Sequence, residues 1–236
     1  MIHGRNAVLE AARAGRVVRV LQAEGLGHDP RLEELRRLAP VEIVTPERLD
    51  SVARGVHQGV AAELKPRREW MLRELLATSP SLLVALDSIM DPQNLGAILR
   101  SAEVAGADGA ILPEHRSAPL SPSAVKASSG ASELMPIAHV SGMPSAIAEV
   151  KRAGIWCAAL DVRGDTWPWD FDLTQRVCVV VGGEGQGVHR LVLERCDVRL
   201  KLPVRGKVAS LNASAAAAAL LYEVTRQRSL GHDPLP

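Results

Sequence analysis

The sequence has few cysteines and almost no net charge. Three cysteines among 236 residues, at positions 157, 178 and 196, are too few and too widely spaced for a disulfide framework or a cysteine-based zinc site. We therefore expect reduced thiols and a cytoplasmic protein. A formal charge of +1, from 28 basic and 27 acidic residues, shows no overall attraction to a polyanion. A nucleic acid would have to be bound by local basic patches.

Long apolar runs and aromatic side chains are also scarce. The longest apolar run, residues 215–221, is far shorter than the roughly 20 residues that a membrane-spanning helix needs. Residues 1–5 lack the basic-then-apolar pattern of a signal peptide, so we expect no membrane partner. Four Trp, one Tyr and one Phe are too few for base stacking to be a main means of recognition.

Strand and helix patterns divide the chain into two α/β units. In residues 1–66 we predict strands at 17–23, 41–44 and 60–64, with helices that begin near Asn6, Pro30 and Pro46. Residues 67–79 are predicted to form a linker with a short helix. The second unit, residues 80–236, is predicted to have apolar strands at 81–86, 109–112, 134–140, 155–160, 177–181 and 198–202. Helices alternate with them, the longest at 209–228, which favours a parallel sheet covered on both faces.

The segment DPQNLGAILR, at 91–100, follows the first of these strands. Ligands of such sheets bind at the carboxyl ends of the strands. Asn94 would lie near the start of a helix and Arg100 almost two turns later, on roughly the same side. Taken alone, the two are better explained as a capping Asn and a solvated Arg.

A glycine-rich segment, VGGEGQG at 181–187, follows another apolar strand. Its glycines allow the backbone to approach a ligand closely. A dinucleotide loop is the alternative, but the third glycine of G-x-G-x-x-G is missing, and Glu184 would repel a pyrophosphate. The pattern disfavours NAD and favours a ligand with positive charge.

A third segment, PVRGKVASLNAS at 203–214, contains a basic loop with Arg205 and Lys207. Ser210 and Asn212 follow where the long Ala-rich helix is predicted to begin. Taken alone, these two residues would be helix caps.

Together, the three segments resemble the SpoU/TrmH family of RNA ribose 2′-O-methyltransferases, within the knotted SPOUT class. The family patterns D-P-x-N-x-G-x(3)-R, G-x-E-G-x-G and P-x(6)-S-L-N-x-S occur here in that order. Residues 2–11 and 57–63 resemble the family's substrate-binding domain, which is similar in fold to ribosomal protein L30e. Residues 116–122 and 126–131 resemble the subgroup that methylates a guanosine of 23S rRNA.

The resemblance implies an α/β protein: a small L30e-like N-terminal α/β domain at 1–66, a linker at 67–79, and a C-terminal parallel-sheet α/β-knot (SPOUT) domain at 80–236. It implies S-adenosyl-L-methionine as cofactor, methyl transfer to a ribose 2′-hydroxyl of RNA, and a homodimer. The implied cofactor-binding residues are Gly182, Leu202 and Leu211. The implied catalytic residues are Arg100, which activates the hydroxyl or grips a phosphate, and Asn94, Ser210 and Asn212, which orient the hydroxyl and Arg100. Glu184, also implied as catalytic, has a structural or positioning role. The implied RNA-binding residues are Arg116, Arg205 and Lys207.

Two alternatives stay open. One is a methyltransferase of the same family that acts on tRNA or another rRNA site. The other is a non-catalytic RNA-binding protein of the L30e type, suggested by the first unit alone. The seven histidines show no metal-ligand spacing, so no metal is expected.

Overall fold

Two separate β-sheets organise the chain. The computed structural model describes residues 1–53, 55–66 and 68–229. Residue 67 of the predicted linker and residues 230–236 of the predicted second domain lie outside the described residues. Within the described part, no helix is both long enough and apolar enough to cross a bilayer.

The first sheet has the strand order β1-β4-β2-β3. Its strands are β1 (Ile2–His3), β2 (Val17–Ala23), β3 (Val41–Val44) and β4 (Val60–Leu64). β3 runs parallel to β2, and β4 runs antiparallel to both β1 and β2. The three strands predicted for this unit have the predicted bounds, whereas the two-residue β1 was not predicted.

Three helices accompany this sheet: α1 (Arg5–Arg13), α2 (Pro30–Leu38) and α3 (Pro46–Val52). α2 and α3 each begin with a proline behind a side chain, Asp29 or Thr45, that accepts a hydrogen bond from a helical N–H. The first helix was predicted to begin near Asn6, and α1 begins one residue earlier, at Arg5. Gly4 precedes α1, and the Asn6 side chain instead accepts a hydrogen bond of 2.9 Å from Arg31.

The second sheet has the order β10-β8-β9-β5-β6-β7, and all its neighbouring strands are parallel, as predicted. The strands are β5 (Leu82–Asp87), β6 (Gly109–Pro113), β7 (Ile137–Val140), β8 (Trp156–Leu160), β9 (Val177–Gly182) and β10 (Val198–Leu200). β5 is buried on both faces, because Leu82 and Val84 belong to one apolar core and Leu83 to the other. A strand covered on both faces needs no polar alternation.

Helices cover both faces of this sheet. They are α4 (Leu72–Ala77), α5 (Pro92–Val104), α6 (Pro122–Ala127), α7 (Ala131–Leu134), α8 (Met143–Arg152), α9 (Arg190–Leu193) and α10 (Ala213–Ser229). α5 and α10 pack on one face, and α4, α8 and α9 pack on the other. α4 falls within the predicted linker, yet its Leu72 and Leu75 belong to the core of the second sheet.

Three predicted boundaries are wrong by two or more residues. The strand predicted from residue 134 begins at Ile137, because the N–H of Met135 bonds to the carbonyl of Ala131 and closes a helical turn. β10 ends at Leu200, since the next N–H, that of Lys201, pairs with a loop carbonyl. α10 begins at Ala213 rather than 209. Residues 201–212 therefore have no regular structure.

The two units contact each other through α6 and α7. Val125 of α6 lies in the apolar core of the first unit. Gly130 packs so tightly on α1 that a Cβ there would lie 2.2 Å from the Cβ of Glu10. The Arg16 guanidinium forms an ion pair with the buried carboxylate of Glu133. These contacts set the orientation of one unit against the other.

Candidate active site

The glycine-rich loop after β9 is anchored at both ends by Asp87, the last residue of β5. The N–H of Gly183 donates to the Asp87 carbonyl at 2.9 Å, and the N–H of His189 donates to the Asp87 carboxylate at 2.7 Å. Asp87 itself is buried. Asp87 was not among the predicted site residues, although a carboxylate at the end of a fully buried strand was a signal for it.

Within this loop the chain folds back on itself. The N–H of Gly187 donates to the carbonyl of Gly183 at 3.0 Å. A Cβ on Gly182 would lie 2.0 Å from the backbone carbon of Gly187, so only glycine fits there without displacement. Gly185 has φ +83°, a left-handed conformation that glycine adopts freely. The loop thus carries Glu184 in a fixed position.

Asn94 is positioned by α5, but it is not the cap of that helix. Asp91 is the cap, and its carboxylate accepts from the N–H groups of Gln93 and Asn94 at 3.1 and 3.2 Å. The Asn94 side chain is therefore available for other contacts. It is buried, unlike that of a typical surface cap.

Three side chains from three distant segments meet beside this loop; we call Asn94, Glu184 and Asn212 the Asn–Glu–Asn cluster. The Nδ2 groups of Asn94 and Asn212 both donate to Oε1 of Glu184, the latter at 3.1 Å. Asn212 Nδ2 also lies 3.0 Å from Asn94 Oδ1. Among the described residues, no basic side chain forms an ion pair with Glu184. Two neutral amide donors thus hold this carboxylate.

Asn212 has a second role at the beginning of α10. Its Oδ1 accepts from the N–H and the hydroxyl of Ser214 at 2.9 and 2.6 Å. The expectation that Asn212 is a helix cap is therefore confirmed. Because its oxygen caps the helix and its nitrogen contacts Glu184, Asn212 fixes the start of α10 relative to the glycine-rich loop.

The irregular segment 201–212 carries the other predicted residues of the third motif. Leu202 is half-buried, and Arg205, Lys207, Ser210 and Leu211 are exposed. Among the described residues, none forms a hydrogen bond with the backbone of 202–211. Among the described residues, Ser210 forms no hydrogen bond with the Asn–Glu–Asn cluster. The segment thus presents unpaired backbone groups directly before Asn212 in the chain.

Arg100 does not lie on the same side of α5 as Asn94, so that expectation is wrong. Six residues turn a helix by about 600°, which leaves the two side chains about 120° apart around the axis. Asn94 is buried and Arg100 is exposed. Among the described residues, Arg100 forms no hydrogen bond or ion pair. Its guanidinium is therefore free to contact a ligand outside the cluster.

Arg116 lies on the loop after β6, and a backbone hydrogen bond attaches this loop to the segment that precedes α5. The N–H of Ala118 donates to the carbonyl of Ile89 at 2.7 Å, shortly before α5 begins. Arg116 is exposed and has φ +57°. The three predicted RNA-binding residues, Arg116, Arg205 and Lys207, are thus all accessible to solvent.

Comparison with known proteins identifies the family. The model of the SpoU rRNA Methylase family matches residues 81–222. The model for RNA 2′-O ribose methyltransferase substrate binding matches residues 1–70. The chain belongs to the SpoU rRNA methylase family and is an RNA methyltransferase, which confirms the predicted family and enzyme class.

Its curated relatives share similarity along nearly the whole chain. It is 40% identical over 224 residues to the 23S rRNA (guanosine-2′-O-)-methyltransferase RlmB of Pseudomonas aeruginosa, covering 91% of this chain and 90% of that one. It is 37% identical over 239 residues to RlmB of Pseudomonas putida, covering 97% and 96%.

Solved structures agree with this assignment. The SpoU methyltransferase AviRb of Streptomyces viridochromogenes, in complex with AdoMet, has a TM-score of 0.77 at 28% identity, over 96% of this chain and 89% of that one. An rRNA methyltransferase of Sinorhizobium meliloti has a TM-score of 0.78 at 26% identity, over 95% and 85%. The predicted SPOUT-type α/β fold is therefore confirmed.

Proposed function

We propose that this protein transfers the methyl group of S-adenosyl-L-methionine to the 2′-hydroxyl of a guanosine ribose in 23S rRNA. The observation that carries the proposal is the meeting of Asn94, Glu184 and Asn212 beside a segment of unpaired backbone. The names of the Pseudomonas relatives support the guanosine of 23S rRNA. The AdoMet complex of AviRb supports the cofactor.

The residues fit that cofactor. Backbone amides and carbonyls can bind an adenine edge and a ribose, and those of 202–211 have no partner among the described residues. Gly182 adds a backbone that lacks a side chain, and Leu211, 53% exposed, offers apolar surface. The cofactor supplies an electrophilic methyl group on a positively charged sulfonium. A carboxylate near that charge, such as Glu184, is favourable.

The acceptor hydroxyl is a poor nucleophile until its proton is shared, and this proton passes to solvent water, which reaches the exposed Glu184 and Asn212. A guanidinium holds its proton at neutral pH, so Arg100 grips the adjacent phosphate and stabilises negative charge that develops on the ribose oxygen. The cluster orients the hydroxyl, with Ser210 as a further donor on the 201–212 segment. Holding the reacting groups in line supplies up to roughly 7–11 kcal/mol in the best intramolecular models.

RNA binding uses both units. Arg116, Arg205 and Lys207 would contact phosphates near the site, while residues 1–66 act as the substrate-binding domain. Each phosphate contact with a single strand contributes about −0.7 to the slope of log affinity against log salt. An RNA affinity that does not change with salt concentration would contradict binding through phosphate contacts.

The proposal extends to assembly and location. A homodimer is supported by α10, whose Tyr222 is 60% exposed, and light scattering of the purified protein tests it.

A cytoplasmic location is supported by the thiols. Cys157 and Cys178 are buried, and burial raises the pKa of Cys196 to about 12, which keeps it protonated. The knot that the resemblance implies stays a prediction.

The experiment combines purified protein, radiolabelled S-adenosyl-L-methionine and two substrates, a 23S rRNA transcript and a tRNA fraction. Arg100→Ala is expected to lower methyl transfer by about 10²–10³-fold, the usual cost of losing one group that stabilises developing negative charge. Arg152→Ala is the matched control, because Arg152 is an exposed arginine on α8, on the opposite face of the sheet. Wild-type activity in Arg100→Ala would reject the role of Arg100.

The two substrates separate the alternatives. Transfer to tRNA alone would favour the tRNA methyltransferase. Absence of S-adenosyl-L-methionine binding in calorimetry would favour a non-catalytic RNA-binding protein. Mapping the methylated nucleotide in the rRNA product completes the assignment.

A further inference from the structure

Four of the six aromatic residues form two contacting pairs in β8 and the loop between β8 and β9: Trp156 with Phe171, and Trp167 with Trp169. Trp167 and Trp169, which we call the tryptophan pair, are stacked with ring centroids 5.4 Å apart and planes 4° apart. Trp156 packs edge-on against Phe171 at 6.0 Å.

Backbone hydrogen bonds attach this loop to the carboxyl end of β10. The N–H of Thr166 donates to the carbonyl of Arg199 at 3.3 Å, and the N–H of Lys201 donates to the carbonyl of Thr166 at 3.0 Å. The side chain of Gln227 on α10 donates to the carbonyl of Pro168 at 3.0 Å. Two elements thus fix the backbone on either side of Trp167, so the pair stands on a rigid support.

One ring of the pair is available to a ligand. Trp169 is 52% exposed, which is unusual for so large an apolar side chain. Trp167 is less exposed, and the ammonium of Lys201 lies 4.5 Å from its ring centroid. A cation over a ring is stabilising, and it places a positive charge directly beside the pair.

The pair has one basic neighbour and four acidic residues in its own loop. Lys201 lies over Trp167, and no acidic side chain among the described residues forms an ion pair with it. The carboxylates of Asp161, Asp165 and Asp172 already accept hydrogen bonds within the loop, which leaves Lys201 as the unpaired charge at the ring. An exposed aromatic ring beside a basic residue is typical of sites that bind single-stranded nucleic acid.

The pair also lies at the same edge of the sheet as the Asn–Glu–Asn cluster. Thr166 bridges Leu200, the last residue of β10, and β8 separates β10 from β9. Three strand spacings therefore separate the loop from β9, which amounts to about 14 Å. A base on Trp169 would belong to a nucleotide close to the one that is methylated.

We infer that the tryptophan pair is a stacking platform for an unpaired base of the RNA substrate, close to the methylated nucleotide. The inference rests on the proposed function and adds a means of recognition that the scarcity of aromatic residues had argued against. Stacking tolerates any base, so the platform holds the strand in place without selecting its sequence.

The test measures RNA affinity of the full chain at several salt concentrations, with a fluorescent 23S rRNA fragment as the probe. Trp169→Ala is expected to raise the Kd by about 5- to 150-fold, the usual range for loss of one base–aromatic contact. The slope of log Kd against log salt should stay unchanged, because no charge is removed. Lys207→Ala should instead reduce that slope by about 0.7.

Trp156→Ala is the matched control, since Trp156 is 46% exposed but lies outside the stacked pair. It should leave the Kd within about twofold of the wild-type value. Trp169→Phe, which keeps an aromatic face, should retain most of the affinity even if Trp169→Ala fails to fold. The quenching of tryptophan fluorescence by RNA should be reduced in Trp169→Phe.

Three results would overturn the inference: an unchanged Kd in Trp169→Ala, an unchanged quenching in Trp169→Phe, or conversion of a wild-type dimer to a monomer by Trp169→Ala. The last result would mean that the pair packs against a second copy. If the wild-type protein binds and methylates RNA, any of these three results refutes the stacking platform but leaves the proposed function standing. A wild-type protein that does neither defeats the proposed function as well.

Discussion

Replacing Asn212 with Asp tests whether the Asn–Glu–Asn cluster depends on one carboxylate and two amides. Asn212→Asp keeps an oxygen that can cap α10, so the contacts with Ser214 are preserved. It replaces Nδ2, the donor to Glu184 and Asn94, with a second charged oxygen. The change therefore removes two hydrogen bonds and adds a like charge without altering the shape of the side chain.

The structure gives the size of the effect. At 3.1 Å, two unit charges repel by about 1 kcal/mol in water and about 5 kcal/mol at an effective dielectric constant of about 20. Both side chains are exposed, so the repulsion lies near the lower value. Each lost hydrogen bond adds about 1 kcal/mol. We expect Asn212→Asp to lower the free energy of unfolding by about 2–3 kcal/mol at pH 7.

Urea denaturation of a double-mutant cycle measures this coupling. Glu184→Gln combined with Asn212→Asp restores one carboxylate and two amides, with the carboxylate now on α10. The double variant should be more stable than Asn212→Asp alone, with a coupling energy of about 2 kcal/mol. Methyl transfer should stay impaired, because the charge has moved away from residue 184. Effects that add to within about 0.5 kcal/mol would show that the side chains do not interact and would refute the cluster.

Two further predictions concern stability. Gly182→Ala places a Cβ 2.0 Å from the Gly187 backbone, so thermal unfolding should show a loss of about 1–3 kcal/mol in the free energy of unfolding. The control, Gly206→Ala, meets no atom within 4 Å and should be nearly neutral. Equal effects of the two variants would contradict the close approach at Gly182. Hydrogen bonds from Arg31 hold the pKa of Asp29 well below its ordinary 3.8, so this carboxylate stabilises the fold above that pH, and the contribution is lost as the pH falls towards the lowered pKa. Asp29→Asn should therefore make the melting temperature depend less on pH in the acidic range. The same pH dependence in the variant and the wild-type protein would contradict this prediction.

The sequence predicted the elements more accurately than their contacts. Buried strands such as β5 are recognisable because an unbroken apolar run is a local property, and prolines mark the beginnings of α2 and α3. The meeting of Asn94 with Glu184 depends on the order of the strands, which places β9 beside β5. No local pattern encodes that order, and only the family resemblance connected the segments.

The errors have similar causes. The start of α10 was predicted too early because alanine favours helix, whereas the Asn212 cap decides where the helix begins. The short helices α6 and α7 were missed because they are only six and four residues long and have no amphipathic pattern of their own: Ala124 packs in the core of the second sheet and Val125 in that of the first unit. Composition showed how few aromatic residues there are but not that Trp167 and Trp169 are stacked.

The tight contact between α1 and α7 has a consequence for how a nucleotide is chosen. Gly130 packs against Glu10 and Arg16 pairs with Glu133, so the two units are held at a fixed distance from each other. Under the proposed function, the target ribose would be selected by its distance from the part of the RNA that the first unit binds. Inserting one nucleotide between them would bring the neighbouring ribose to the methyl group.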